Sequence, residues 1–401
     1  MRTPREGAPF AGLDFTRPPF QSRPRMSTRV EKTPAACASD ASMTPPAGMP
    51  EQESAGRQRW VDEVRANVDT VLADFLEDKH AVSQRIAGDS TKLVSAIADI
   101  TLRGGKRLRP AVAHAAYVAV GGQVESKELA VLGRIGAALE LLQTYLLIHD
   151  DWMDRDDQRR GGPSAHILLR DQVGGDTQLG DALAILAGDL ASSYAWELFT
   201  AEAFSLGASG PALVSAFLRL HQEVVLGQEL DLIGSSDVPR MQRLKSGSYT
   251  VEGPLRIGAV LGGATEAQHA VLEAMGTPLG EAFQIRDDLL GAFGDPAKTG
   301  KPSGSDIRAG KRTALVRECE RAALPEERTL LAGVLGRSEA TDAEVANVLS
   351  MFERTGIKER VEQRLHALIE MARRALDTEL LTPRGVAMLS DLVAALAWRE
   401  A

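Results

Sequence analysis

Residues Leu146 to His166 read LLIHDDWMDRDDQRRGGPSAH. An apolar stretch, Ile135 to Ile148, runs into Asp150, Asp151 and Asp154. Arg159 and Arg160 follow, then a Gly161-Gly162-Pro163 break. At about 100° per helical residue, Asp150 and Asp154 lie about 40° apart and Asp151 within about 100° of both, so three carboxylates share one side of a helix end. Unpaired carboxylates are costly to bury, so a cation must meet them. Carboxylates without His or Cys suit a hard ion such as Mg²⁺, which keeps waters and bridges to phosphate oxygens. Alone, the same run also reads as a solvated helix end laced with ion pairs.

A second acidic pair, Asp287 and Asp288, lies in FQIRDDLLGAFGD, again after an apolar helical run, with Gln284 one turn back near the face of Asp287. The loop TGKPSGSDIRAGKRT follows, Thr299 to Thr313, and its glycines, Lys301, Lys311 and Arg312 describe a mobile cationic flap or a plain surface loop. Upstream, GGKRLRP places Lys106, Arg107 and Arg109 at a helix junction, where unpaired backbone N–H groups also favour anions. A solvated basic turn is the alternative there. Lys245, Ser246 and Tyr249 sit on a further helix that begins near Met241. Gln228, Glu229 and Asp231 read equally as cavity-wall hydrogen-bonding groups or as a solvated face.

Helices must position these groups. Helical spacing begins at Arg57 with Trp60, Val64, Val68, Val71, Leu72 and Phe75. Further helices are predicted over about 92–102, 111–120, from 126 into the first Asp cluster, from Gly180, over 211–233, and up to Gly262-Gly263. No convincing strand and no repeat of fixed period is visible. Residues 1–55 are rich in Pro, Ser, Thr, Ala and Arg without hydrophobic period and are expected to be disordered. Residues 56–401 form the catalytic domain in this reading.

Composition narrows the class. The chain has 401 residues, 44% hydrophobic but only 4% aromatic, which favours closely packed Ala/Leu/Val helices over a β-sandwich. A net charge of -9 argues against a nucleic-acid partner. Cys37 and Cys319 form no metal pattern and are expected to be reduced thiols. No apolar run has membrane-spanning length and no signal peptide is visible, so a cytoplasmic location without an integral membrane segment is expected.

Two acidic helix ends, each followed by a Gly-containing basic loop, can face each other across a cavity in a helical bundle. The substrate they describe has one strongly anionic end and one greasy end. Metal ions bridge carboxylates to the anion, Lys and Arg clamp its other oxygens, and the apolar interior holds the tail. A diphosphate held this way becomes a better leaving group.

GGKRLRP, LIHDDWMD with RRGGPSAH, FQIRDD and GKPSGSD…GKRT resemble, in the same order, the motifs of the trans-isoprenyl diphosphate synthases, over roughly Arg57 to Ala401. The resemblance implies an all-α, isoprenoid-synthase-type bundle around a central cavity, usually a homodimer. It implies Mg²⁺-dependent head-to-tail condensation of isopentenyl diphosphate with an allylic diphosphate. Asp150 and Asp154 are implied to bind Mg²⁺ on one wall with Asp151 in support, and Asp287 on the other with Asp288 nearby. Lys106, Arg109 and Arg160 match positions that hold isopentenyl diphosphate, and Gln143 falls where many members have His. Arg159, Lys245, Ser246, Gln284, Lys301 and Lys311 match positions around the allylic diphosphate or the closing loop. Lys245 and Lys301 also count, with the Asp clusters, among the implied catalytic groups.

The chain departs from the family pattern at Gly291, where many members carry the last Asp of the second cluster, and Asp295 lies further on. His149 is expected to hydrogen-bond beside the Asp pair rather than to bind metal. Tyr145 and Leu146, just before the first cluster, are expected to form the cavity floor and limit product length. One aromatic there resembles short-chain synthases making geranylgeranyl diphosphate, with farnesyl diphosphate as the alternative. Ideal geometry puts Tyr145 about 140° and Leu146 about 40° from Asp150, so Leu146 shares the floor or the helix is irregular. Two other functions fit an Asp-rich helix: a class I terpene cyclase and a non-catalytic prenyl-diphosphate-binding subunit. The second Asp pair and GGKRLRP argue against both.

Overall fold

Ala/Leu/Val runs punctuated by Gly and Pro fold into helices almost throughout the computed structural model, which describes residues 51–88, 91–295 and 303–397. The expected disordered extension falls, for residues 1–50, outside the described residues; the helix begins at Glu51, so the last residues assigned to that extension are helical.

Seven helices build the first half: α1 (Glu51–Ala87), α2 (Lys92–Leu102), α3 (Leu108–Ala119), α4 (Ser126–Asp154), α5 (Ala165–Gln172), α6 (Thr177–Ser205) and α7 (Gly210–Leu232). Between α4 and α5 a two-residue hairpin, Gln158–Arg159 with Gly162–Pro163, pairs antiparallel. It is too short to leave an alternating pattern, and strand logic missed it. After α8 (Val238–Gln242) the chain widens into a π-helix, Arg243–Glu252, before α9 (Gly253–Leu261) and α10 (Glu266–Phe293). The remainder is α11 (Ser305–Arg308), α12 (Ala314–Ala322), α13 (Pro325–Ala332), α14 (Asp342–Arg354), α15 (Ile357–Ala375) and α16 (Pro383–Ala397).

Local chemistry explains the boundaries. The Asp176 side chain accepts from Leu179 N at the start of α6, and Thr265 with Gln268 forms a capping box at the start of α10. The α4 helix is apolar on nearly every side, as a central helix must be. By length and composition Lys127–Asp154 could cross a membrane, which the sequence reading did not expect, but most of it is buried inside the bundle.

Two apolar clusters hold the elements together. One joins α1, α2 and α4–α7 through Leu72, Leu139, Leu142, Phe199 and Phe217. Phe199 and Phe217 stack at 4.1 Å. The other joins α3, α9, α10 and α12–α16 through Leu255, Leu279, Phe352 and Leu389. Each fully buried Leu or Phe contributes roughly 1.5–3 kcal/mol of transfer free energy.

The π-helix replaces the regular helix expected from Met241. Glycines on both sides let its backbone be clamped. A methyl on Gly227 of α7 would meet Lys245 N at 2.3 Å, and one on Gly280 of α10 would meet Gly247 Cα at 2.8 Å. The wide turns aim Lys245, Ser246, Tyr249 and Thr250 at a single hollow.

Candidate active site

That hollow is a cavity of about 870 Å³ between α3, α4, α7, the π-helix and α10, and both Asp150 and Asp287 line it. The two acidic helix ends thus face a shared space. A neighbouring cavity of about 660 Å³ is lined by Asp154, Asp231, Asp306 and Lys311. Leu232 lines both.

On the first wall Asp150 Oδ1 accepts from Gln228 Nε2 at 2.9 Å and lies 3.5 Å from Lys245 Nζ. The same ammonium is 2.5 Å from Asp231 Oδ2. Asp154 is 3.5 Å from Lys311 Nζ. Burial, then the like charge of Asp150, pushes the Asp154 carboxyl above its ordinary range, against the pull of Lys311 and Lys245. Burial also works against the charge of Lys311, but Asp154, Asp306, Asp150 and Asp231 outweigh it and raise its affinity for the proton. Asp151 is different. Its carboxylate is 1% exposed and gripped by Arg159, whose Nε lies 2.8 and 3.1 Å from the two oxygens. It therefore orients Arg159 rather than facing the cavity.

The second wall corrects two expectations. Asp288 does not reach the cavity: it is 5% exposed, and its oxygens accept from Gln284 Nε2 at 2.8 Å and Ala314 N at 2.7 Å. Burial, opposed by those hydrogen bonds, pushes its carboxyl up to about 7. Gln284 is spent on that bond and lines a separate cavity with Arg243 and Arg364. Adjacent helical residues point about 100° apart, so only one of the pair could face the hollow, and it is Asp287.

A cluster of cations closes one side. Lys106, Arg109, Arg159 and Arg160 line the cavity. Arg107 also touches the cavity but is only 3% exposed, and it ties the loop to α1 and α4 through Asp69 at 2.8 Å and Glu140 at 2.7 Å. Arg107 and Arg160 both hold positive φ, 46° and 50°, a conformation the contacts of Arg107 with Asp69 and Glu140 hold in place at that residue. Arg109 lies 4.0 Å over the Tyr249 ring, and its Nε is buried with no acceptor among the described residues. Burial lowers the proton affinity of Arg160, and Arg107, Arg109 and Arg159 lower it further against the pull of Glu140. A guanidinium group short of counter-charge, beside an orphaned N–H, is chemically suited to take up an anion. Gln143 Oε1 accepts from Tyr249 Oη at 2.7 Å on the same rim.

The lining also includes apolar and aromatic side chains, among them Tyr145, Leu146, Leu147 and Val224. His149 also lines the cavity but does not serve the Asp pair. Its Nε2 lies 3.1 Å from Ile185 O and its ring packs on Tyr145 at 4.9 Å.

The donor set fits a divalent ion such as Mg²⁺. Among the described residues no three His, Cys, Asp or Glu side chains converge on a point. Asp150, Asp154 and Asp287 supply hard oxygens, and the lysines that neutralise the first two show how strongly these carboxylates need a cation.

Of the other expected residues, Ser246 lines the cavity, and Lys301 lies outside the described residues. Asp295 is exposed and stands apart from both cavities. Sequence reasoning left Gln228 and Asp231 undecided, and the structure brings both against the first wall. Their spacing on α7 carried that signal, but only the facing π-helix gives it meaning. Asp306 was missed entirely.

The profile of the polyprenyl synthetase family matches residues 91–352. The geranylfarnesyl diphosphate synthase of Aeropyrum pernix is 33% identical over 316 residues, 76% of this chain and 90% of that protein. The geranylgeranyl diphosphate synthase of Sulfolobus acidocaldarius is 33% identical over 282 residues, 68% of this chain and 80% of that one. Among solved structures, the geranylgeranyl pyrophosphate synthase of Corynebacterium glutamicum, complexed with isoprenyl diphosphate and magnesium, superposes with a TM-score of 0.78. It shares 32% identity, over 85% of this chain and 99% of that one.

Proposed function

This chain belongs to the polyprenyl synthetase family and is a prenyltransferase, and from that premise we propose that it condenses isopentenyl diphosphate head-to-tail with an allylic diphosphate to give geranylgeranyl diphosphate. The observation that supports this reading is the cavity itself, whose lining combines Asp150 and Asp287 from the two acidic helix ends, Lys106, Arg109 and Arg160, and apolar side chains.

Asp150, Asp154 and Asp287 would hold Mg²⁺, which, when bound, neutralises the charge that develops on the departing diphosphate. Lys245 and Lys311, now paired with those carboxylates, turn to the allylic diphosphate oxygens, with Arg159 and Ser246 beside them. Lys106, Arg109 and Arg160 hold isopentenyl diphosphate, and the orphaned Arg109 N–H takes one of its oxygens. The C–O bond of the allylic substrate breaks, and the double bond of isopentenyl diphosphate attacks the allylic cation. The released diphosphate accepts the proton then lost. Apolar walls keep water from the cation.

Product length depends on the floor formed by Tyr145 and Leu146. Relatives of similar identity make products of different length, so the proposal of geranylgeranyl rather than farnesyl diphosphate rests on the single aromatic at that floor. Exposed apolar side chains on α6 (Leu179, Leu186) and α7 (Leu218, Leu226) support a homodimer that covers them.

Incubation with isopentenyl diphosphate, each allylic starter and Mg²⁺, with product length read by chromatography, tests the reading. An elongated diphosphate ending at geranylgeranyl is expected. A hydrocarbon product would indicate a cyclase, and no product a binding subunit.

A further inference from the structure

Arg103 caps the end of α2, one residue before the GGKRLRP motif. Its Nη1 donates to Arg159 O and to Pro163 O, both at 2.8 Å, one carbonyl from each strand of the hairpin. Nη2 turns back to Asp99, one helical turn earlier, and the side chain is 14% exposed. A flat fork of N–H donors can serve three acceptors at once. The hairpin needs such a grip. Its central residues, Arg160 and Gly161, hold φ 50° and 72°, the left-handed pair of a tight turn that favours Asn-Gly. Arg160 takes that conformation at a cost its surroundings must offset. Gly162 makes room for the grip: a methyl there would meet Arg103 Cζ at 2.7 Å and Nη1 at 2.8 Å. The two hairpin arginines are anchored differently. The Arg159 side chain is held by buried Asp151. Arg160 Nη1 donates to Ile100 O at 3.2 Å, in the last turn of α2.

We infer that Arg103 is a positioning residue: it fixes the hairpin backbone so that Arg160 meets the diphosphate of isopentenyl diphosphate, and Gly162 stays small to admit the guanidinium. This deepens the proposed function and rests on its assignment of Arg160. Arg103 does not line the cavity, so its effect passes through the hairpin. Because Arg159 has its own anchor in Asp151, the effect falls on Arg160 and on the isopentenyl substrate.

The test is steady-state kinetics on the full-length chain with Mg²⁺, varying isopentenyl diphosphate and the allylic diphosphate in turn. Arg160→Ala is the reference for loss of the arginine itself. Arg103→Ala is expected to raise KM for isopentenyl diphosphate about tenfold and to change kcat and the allylic KM by less than about threefold. Gly162→Ala displaces the far end of a flexible side chain, so it is expected to fold and to give the same shift. The double variant Arg103→Ala with Gly162→Ala is expected to be no worse than either single one, because the methyl then has no guanidinium to displace. Circular dichroism on each variant reports folding, and Gly162→Ala carries the test on its own should Arg103→Ala fail to fold. An isopentenyl KM raised in Arg160→Ala but unchanged in folded Arg103→Ala or Gly162→Ala overturns this inference and leaves the proposed function standing. So does an even loss across kcat and both KM values, or a double variant in which the two effects multiply. An isopentenyl KM unchanged in Arg160→Ala overturns the assignment of Arg160 and this inference with it. A wild-type chain that gives no elongated diphosphate overturns the proposed function as a whole, and this inference falls too.

Discussion

Tyr145 stands edge-on to His221, ring centroids 5.3 Å apart, and Trp196 Nε1 donates to His221 Nδ1 at 3.0 Å. His221 accepts that bond as a neutral imidazole, and burial lowers its affinity for a second proton. Tyr145, proposed as part of the cavity floor, is therefore braced from α6 and α7, not merely bulky. Tyr145→Ala is expected to open the floor and lengthen the prenyl product, read by chromatography. An unchanged product would remove Tyr145 from that role. His221→Ala, which leaves Tyr145 in place but unbraced, is expected to give a mixture of lengths.

Lys245 joins two carboxylates of different helices, Asp150 and Asp231. Lys245→Ala removes a cation aimed at the developing charge, and kcat is expected to fall about 10²–10³-fold with an unchanged circular dichroism spectrum. An activity within about threefold of wild type would show that the lysine only neutralises the wall.

Metal removal should separate chemistry from folding. The helices are held by apolar packing, so a chelator is expected to abolish turnover, and added Mg²⁺ to restore it, with little change in the unliganded melting temperature. Asp150→Asn and Asp287→Asn are each expected to lose most of that Mg²⁺-restored activity. A large drop in melting temperature on chelation alone would assign the metal a structural role.

His114 is buried against Trp60, with ring centroids 6.3 Å apart, and burial pushes its imidazole down to about 4, aided by Arg384 and opposed by Glu63. The unfolded chain takes up that proton near the ordinary histidine value while the folded chain refuses it. The stabilisation is thus complete above the unfolded value and is lost as pH falls towards the folded one, on the order of 3 kcal/mol in all. Asp288 acts in the opposite sense, because its carboxyl is raised to about 7 and folding gains as pH falls towards the ordinary Asp value. The two are separable by difference. Urea unfolding at about pH 8 and about pH 5 should show a smaller loss on acidification in His114→Gln than in wild type.

Arg107 is held by Asp69 and Glu140 in an almost fully buried site. Arg107→Ala leaves Glu140 charged, buried and unpaired, and is expected to cost about 3–5 kcal/mol in urea unfolding. A loss below about 1 kcal/mol would mean that water replaces the guanidinium.

The sequence by itself determined the helical class, most helix spans and the places of the two acidic clusters at helix ends. Periodicity, Gly/Pro breaks and side-chain charge are local properties that survive without a fold. Asp150, Asp287, Lys106 and Arg109 were legible because acids and bases at apolar helix ends need partners wherever the chain goes. The tertiary structure decided which of those groups face one another. Asp288 and Gln284 turn into the protein because α10 offers its inner side to the N-terminus of α12. His149 turns to Ile185 because α6 packs there. A π-helix clamped by Gly227 and Gly280 carries Lys245 across to Asp150. Arg103 reaches both strands of the hairpin only because α2 ends beside it, a contact between positions whose separate spacings carry no trace of it.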